Sequence, residues 1–379
     1  MENNNKNIRY ETVTAINMDT ISNQKDRQKD IISTFIKDNN IKQRNEQGDG
    51  KEEVDSFGEI DFVGFGQFTT KRKPYIRVAE DTSVETLWEL MIEEWKIPKP
   101  KMIISVTGGT KNFNFEDDRL KILFNQGLFK AAISTDAWIV TGGTSVGVMR
   151  QVGKAIKKES EGTTKNEVVA LGIATWNVID NRKALTNTSQ VNLVVQSNGI
   201  GLADTKSQQE ENIAIPVVLV VVEGGCATLE TVYNYVSQNN TDGGAEGQAR
   251  KGIPVVIVHG SGRAADIIAK SLRLTEIAPF NDAVKELNDD IHRMLGNAEC
   301  KSVEDCKSWL KEICGDRSRK LITVFNMNDA VLKDIDRAIL RGVLQGAALI
   351  ASRILRVLSG YAKRKEELTL HFDLLKHAE

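Results

Sequence analysis

Apolar runs and amphipathic segments alternate along the chain from Lys101 onward. The apolar runs are "MIISV", "AWIV", "EVVALGI", "IPVVLVVV" and "IPVVIV", and segments with helical spacing, such as "RLKILFNQGLFKAAIST" and "GVMRQVGKAIKK", separate them. Strands that are apolar on both faces and are separated by helices are typical of a parallel sheet covered on both sides. The pattern therefore predicts an α/β fold with a Rossmann-like parallel sheet.

The residues before Lys101 show a different pattern. Residues 1–55 are rich in Asn, Gln, Asp, Lys and Glu, a composition that predicts a disordered polar tail, with a helix over 22–37 as its one candidate element. Two short strands are predicted at "IDFVGFGQ" and "PYIRVAED", followed by a helix, "TSVETLWELMIEEW", that Asp81 would cap.

Glycines follow four of the predicted strands. "VTGGT" occurs twice, ending at Thr110 and Thr144, and "EGG" and "HGSG" follow later strands. The flanks of the two "VTGGT" copies differ and there is no third, so they are not an internal repeat. Parallel strands with right-handed crossovers place all these ends on one edge, where α/β sheets bind ligands and helix N-termini favour phosphate. The sequence predicts a nucleotide or phosphoribose pocket there; tight packing of helices on the sheet is the alternative.

Individual residues have two interpretations each. Lys111 is a phosphate contact or a solvated charge, and Met149 packs against a base or fills the core. Arg263 binds a diphosphate or pairs with Asp266. "EGGCATLE" is close to the phosphate-binding pattern PGGxGTxxE, with Glu223 and Ala227 departing from it and Glu230 standing one residue before the position of the pattern's glutamate. The candidate ligand-binding residues are Gly109, Thr110, Lys111, Gly142, Gly143, Gly147, Met149, Gly224, Gly225, Thr228, Glu230, Gly262 and Arg263.

Composition narrows the function classes. Fifty Lys and Arg against 52 Asp and Glu give a net charge of −2 over 379 residues, which provides no electrostatic footprint for nucleic acid. Four scattered cysteines and four scattered histidines give little material for a metal site or a His-based triad. We expect no secretory signal, and the apolar run Ile213–Val222 is far short of the ~20 residues of a membrane helix.

Several long motifs between Ser56 and Ala338 resemble the N-terminal cytosolic homology region of melastatin-type TRP (TRPM) cation channels. They include "YIRVAEDTSVETLWELMIEEWKIPKPKMIISVTGGTKNF", "AWIVTGGTSVGVMRQVGKAI" and "HGSGRAADIIA". The resemblance implies a SLOG-type domain over 56–315, related to the lysine-decarboxylase-like nucleotide phosphoribohydrolases. "RKLITVFNMND" followed by "DIDRAIL" is similar to the start of the helical repeats in those channels, so 316–379 is expected to be α-helical.

The resemblance also implies a function. It implies a cytoplasmic regulatory domain that binds ADP-ribose or a related nucleotide, without a further cofactor, and contributes to gating and assembly of a homo-oligomeric, tetrameric plasma-membrane channel. Thr110, Met149, Thr228 and Arg263 stand where family members contact the nucleotide, and Gly142, Gly143, Gly224 and Gly225 line the pocket. The segment 192–215 lacks the Tyr and Arg that grip ADP-ribose in binding members.

Two alternatives stay open. A phosphoribohydrolase pairs the motif glutamate with an upstream arginine, yet no arginine lies between Arg182 and Arg250. With Ala227 in place of the pattern's glycine, this predicts a non-enzymatic domain, although Lys206 could supply the charge. The third interpretation is a ligand-free assembly scaffold, because the segment Asp334–Leu358 carries apolar residues that a monomer would expose.

Overall fold

The computed structural model describes residues 29–45, 50–60, 73–109, 118–160, 168–179, 182, 185–186, 215–237, 252–295, 302–329 and 335–346. They belong to two compact units. One contains the described residues up to Pro98 together with 185–186, and the other contains the described residues from Lys99 to Arg182 and from 215 onward. Within the described ranges, no helix combines the length and the apolar character needed to cross a bilayer.

The smaller unit begins with a helix at 29–38 (α1) and contains four short strands and a second helix. The strands form two antiparallel pairs, and the helix α2 continues into a single π-helical stretch, Leu90–Glu94. The remaining bounds are β1 Lys42–Arg44, β2 Lys51–Glu53, β3 Phe57–Ile60, β4 Lys73–Ile76 and α2 Val84–Glu89.

The prediction of a disordered tail over 1–55 is wrong for residues 29–45 and 50–55. Few apolar residues are present there, but Ile32, Ile36 and Ile41 are spaced so that all three become buried, and they pack with Val54 and Leu90. Burying these side chains together offsets the ordering entropy that the polar composition alone could not. The helix predicted over 22–37 is confirmed in its described part.

Two further details of this unit differ from the prediction. The cap of α2 is Ser83, whose hydroxyl accepts a hydrogen bond from the Thr86 backbone N–H at 3.3 Å. Asp81, the predicted cap, instead forms an ion pair with Lys51. The predicted strand "IDFVGFGQ" lies mostly outside the described residues; only its first residue, Ile60, belongs to β3.

The larger unit is built on a six-stranded sheet in which every strand runs parallel to its neighbours. The strands are β5 Met102–Gly108, β6 Ala137–Thr141, β7 Ala170–Gly172, β8 Val217–Val222, β9 Val255–His259 and β10 Ile322–Asn326. Their spatial order is β7-β6-β5-β8-β9-β10, which is the strand order of the Rossmann fold. The chain therefore reverses its direction of travel across the sheet between β5 and β8, where such folds have their ligand crevice.

Helices cover both faces of the sheet, as the sequence predicts. Phe124, Val148 and Ile339 bury one face, and Leu229, Ile268 and Leu310 the other. The first face is covered by α3 Asp118–Ser134, α4 Gly147–Ser160 and α11 335–346; the second by α5 Cys226–Ser237, α6 Arg263–Leu274, α7 Phe280–Glu286, α8 Asn288–Leu295 and α9 Val303–Cys314, with α10 Asp316–Arg319 preceding β10.

The sheet extends further along the chain than predicted. Residues 316–379 were expected to be helical, but Ile322–Asn326 form β10 and pair in parallel with β9. The segment "LITVFN" has β-branched and aromatic residues in an alternating pattern, which suits an edge strand. The boundary predicted at 315 therefore falls inside the α/β unit, and α10 and α11 are the helical part of the described residues beyond it.

The helix α11 packs unusually close to its neighbours. A Cβ atom added to Gly127 of α3 would lie 2.2 Å from Cγ2 of Ile335, and one added to Gly346 would lie 2.4 Å from Cγ of Pro254. Lys130 and Asp336 add an ion pair of 3.2 Å beside the first contact. Both ends of α11 are thus held against the α/β unit.

Candidate functional site

The carboxyl ends of β5 and β8 approach each other more closely than side chains would permit. Gly108 has φ +151°, and a Cβ atom there would lie 1.8 Å from the carbonyl oxygen of Val222. The next residue, Gly109, donates its N–H to that same oxygen at 3.0 Å. Only glycine fits at position 108, and the two loops that leave these strands begin side by side.

The loop after β8 has an unusual backbone. Glu223 has φ +57° and Gly224 has φ +91°, and both lie in the left-handed region that glycine favours. A Cβ atom on Gly224 would lie 2.4 Å from the hydroxyl oxygen of Thr228. Thr228, which is itself buried, therefore packs directly against Gly224 in this loop. Glu230, in the second turn of α5, is half-buried.

This loop is fastened to the loop after β9. The Ser261 hydroxyl accepts the Glu223 N–H at 2.7 Å and donates to the Val258 carbonyl at 2.6 Å. The first N–H groups of α6, on Ala264 and Ala265, donate to the carbonyls of Gly224 and Glu223 at 3.2 and 3.0 Å. Helix N-termini on this rim were expected to favour phosphate, but these two N–H groups of α6 are not available for it, because the loop uses them.

Arg263 lies at the junction of the two loops. Its Nη2 donates to the carbonyl of Met294, near the end of α8, at 2.9 Å, and would be 3.4 Å from a Cβ atom on Gly225. A guanidinium has five N–H donors, so most of its capacity remains for an anion above the glycines. Its backbone has φ +44°, directly after Gly262 with φ +103°.

The alternative for Arg263, an ion pair with Asp266, does not form. Asp266 instead accepts from the Gly260 N–H at 2.6 Å and pairs with Nδ1 of His259 at 3.1 Å. Burial raises the pKa of Asp266, but the hydrogen bonds from His259 and the backbone outweigh it, and the net pKa is lowered. Asp266 therefore shapes the turn after β9 and leaves Arg263 to the rim.

A cleft of about 900 Å³ adjoins this rim between α6, α8 and β10. Of the predicted site residues, Arg263 is the one among its lining residues. Its walls also include Lys270, Asp290 and Val324, and Lys270 and Asp290 form an ion pair of 2.9 Å. None of the predicted glycines lines it, so the cleft lies along α6 beside the glycine loops.

The remaining predicted residues are placed as follows. Gly143, with φ +66°, lies against Gly172 at the end of β7. Val148, next to Gly147, donates its N–H to the carbonyl of Gly109 at 2.9 Å. Gly142 is part of the same loop after β6. Met149 is buried in the apolar layer beneath α3 and α4, which agrees with its role as a core residue. Thr110 and Lys111 lie outside the described residues.

A family model described as "SLOG in TRPM" matches residues 73–202 and 200–314. This match covers most of the chain and includes the strands and loops of the candidate site. The chain belongs to this SLOG family.

Individual relatives agree with the family match. The chain is 35% identical over 339 aligned residues to transient receptor potential cation channel subfamily M member 2 of Rattus norvegicus, and 30% identical over 345 aligned residues to a subfamily M member-like 2 protein of Nematostella vectensis. Subfamily M member 7 of Rattus norvegicus is 30% identical over 332 residues. These alignments cover 77–78% of this chain and 17–21% of the relatives, so the chain spans about a fifth of their length.

Sequence reasoning missed some of the residues that build the SLOG site. Ser261 joins the ends of β8 and β9, and the pair His259 and Asp266 fixes the turn between them. All three stand in the quoted motif "HGSGRAAD", and the seven-residue spacing of His and Asp was the available signal. Met294, which positions Arg263, lies 31 residues away and gave no local signal.

Glu223 predicts a pH dependence of stability. Desolvation by burial raises its pKa, and the nearby Arg263 guanidinium offsets this only in part. A carboxyl whose pKa is higher in the folded state binds protons more readily there, so its effect on stability becomes less favourable as the pH rises through its ordinary value near 4.5. Glu223→Gln is therefore expected to gain stability over the native chain as the pH rises from about 3.5 to 7.

Urea unfolding of both proteins at the two pH values measures this difference. Glu304→Gln, which removes an exposed carboxylate from α9, controls for the change in net charge. A stability difference between Glu223→Gln and the native chain that stays constant with pH would contradict the prediction.

Proposed function

We propose that this chain is a cytoplasmic nucleotide-sensing regulatory domain of a TRPM-type channel. It binds ADP-ribose or a nucleotide of the same diphosphate class at the crevice between β5 and β8. The observation that carries the proposal is the convergence of the two glycine loops with Arg263 at the point where the sheet reverses direction. Ligands of open α/β sheets bind at this position.

The chemistry of the crevice favours an anion. The loop Gly224–Gly225 offers a backbone surface without Cβ atoms, and the N-terminus of α5 follows it immediately, which places the positive end of a helix dipole at the loop. A guanidinium above Gly225 adds donors whose planar geometry matches a phosphate or diphosphate. Together these groups favour a phosphorylated ligand over a neutral one.

The domain is proposed to act by binding and not by catalysis. The phosphate-loop position that is glycine in the hydrolase pattern is Ala227, which is exposed at the start of α5, and the upstream arginine of the hydrolases is absent from the sequence. As part of an oligomeric channel, the domain would contribute to gating if the ligand binds one arrangement of the subunits more tightly than another. Its partners are then the nucleotide and the other subunits.

Calorimetric titration of the purified chain tests this proposal. ADP-ribose is expected to bind saturably, and AMP and ribose 5-phosphate more weakly, because each lacks one of the two phosphates that Arg263 can bridge. Each mixture is then analysed for free base by chromatography. Absence of heat with every nucleotide would make the domain an assembly scaffold, and release of free base would revive the enzyme.

A further inference from the structure

Two cysteines face each other in the larger unit. Cys226 is the first residue of α5, directly after Gly225, and Cys306 lies in the first turns of α9. Their sulfur atoms are 3.7 Å apart, with exposed fractions of 5% for Cys226 and 0% for Cys306. Eighty residues separate the two cysteines along the chain, so the fold alone brings the thiols together.

The helices that carry them are held in register. Tyr233 of α5 and Trp309 of α9 stack with ring centroids 6.3 Å apart. A capping box between Ser302 and Asp305 fixes the start of α9, just before Cys306. A disulfide needs the sulfurs at about 2.05 Å, so they must approach by roughly 1.7 Å, which rotation of the two side chains and a small shift of the first turn of α5 can supply.

We propose that Cys226 and Cys306 are a modification site at which a hydroperoxide forms a reversible disulfide. The Cys226 thiolate attacks the peroxide, whose O–O bond breaks and releases an alcohol or water, and the sulfur becomes a sulfenic acid. The Cys306 thiol then attacks that sulfur, the S–O bond breaks, and water leaves. Two thiols and one hydrogen peroxide thus give one disulfide and two waters.

The order of these steps follows from the positions of the two thiols. Cys226 adjoins the loop on the rim and has the larger exposed fraction. Both cysteines belong to the apolar layer between α5, α6 and α9, but Cys306 is fully buried and therefore acts as the second, resolving thiol.

Cys314 provides an internal comparison. Burial raises the pKa of its thiol to about 11, although a hydrogen bond with Thr275 and the charge of Arg319 lower it in part. A thiol with a raised pKa forms the attacking thiolate less readily, and the contact between two sulfur atoms among the described residues is that of Cys226 and Cys306. A disulfide between Cys226 and Cys306 would fasten the β8–α5 loop to α9, whether or not that loop binds a nucleotide.

Mass spectrometry of the purified full-length chain tests this site directly. After reduction and removal of the reductant, a few equivalents of hydrogen peroxide are expected to lower the intact mass by about 2 Da, and a thiol reductant to restore it. Digestion without reduction is expected to yield one linked peptide pair containing Cys226 and Cys306. The measurement needs no nucleotide, so its failure is independent of the proposed sensor.

Three variants assign the roles. Cys306→Ala is expected to stop at a sulfenic acid on Cys226, a gain of about 16 Da that a cyclic diketone probe traps. Cys226→Ala is expected to show neither change in the same time, and Cys314→Ala to retain the loss of 2 Da found in the native chain. An unchanged mass in the native chain, or a cross-link that involves Cys300 or Cys314, would overturn the proposal.

Discussion

Gly108→Ala is expected to lower the free energy of unfolding by at least about 4 kcal/mol. The new Cβ atom would lie 1.8 Å from a backbone oxygen of the neighbouring strand, and the backbone at φ +151° is itself unfavourable for alanine. A flexible side chain could move aside, but the Val222 carbonyl belongs to a central strand whose pairing with β5 extends over six residues. The strands must separate or the loop must refold.

Urea unfolding followed by circular dichroism measures this loss. Typical domains have 5–15 kcal/mol of total stability, so the variant is expected to unfold at much lower urea concentrations or to be recovered mainly as insoluble protein. Gly153→Ala is the matched control: no heavy atom lies within 4 Å of its added Cβ in the middle of α4, and alanine there is expected to stabilise the helix by up to about 1 kcal/mol. Equal midpoints for the two variants would refute the steric argument.

Arg263→Ala is expected to weaken ADP-ribose binding by about 1.5–3 kcal/mol, or roughly 10- to 150-fold. The Nη2 atom of Arg263 would lie 3.4 Å from a Cβ atom on Gly225, and loss of the guanidinium would remove the proposed hydrogen bonds to a phosphate there. The backbone bonds that fasten α6 to the β8–α5 loop come from Ala264 and Ala265, so the loop geometry is expected to survive the substitution.

Calorimetry on folded variants separates this role from a structural one. Arg263→Lys keeps the charge without the planar fork and is expected to bind with intermediate affinity. Arg317→Ala removes an exposed arginine of α10 that does not line the cleft, and this variant is expected to bind as the native chain does. Unchanged affinity in a folded Arg263→Ala protein would remove Arg263 from the site.

The sheet was predictable because its signals are local. A run such as "VVLVVV" is apolar on every position, which only a strand covered on both faces requires, and all six of its residues lie in β8. The glycines are an equally local signal, because each of them directly follows the strand whose turn it forms. The parallel α/β sheet and the shared rim follow from these two patterns and from the rules of parallel connections.

The errors have non-local causes. The N-terminal polar segment is ordered because three isoleucines meet Val54 and Leu90, a packing partner that composition cannot reveal. β10 was assigned to helix from the resemblance of its segment to helical repeats, and the strand with which it pairs, β9, lies over sixty residues earlier in the chain. The position of Arg263 on the rim was predictable from its motif. Its hydrogen bond to the carbonyl of Met294 was not, because Met294 belongs to another helix.

The two close contacts of α11 have a mechanical consequence. Gly127 against Ile335 and Gly346 against Pro254 are spaced roughly 16 Å apart along the helix, and neither glycine has room for one added carbon atom. The helix α11 is therefore packed tightly at both ends, so that it cannot shift unless α3 and Pro254 shift with it. A displacement of α11 at Gly346 would be passed to Pro254, which directly precedes β9. The loop that positions Arg263 leaves the other end of β9.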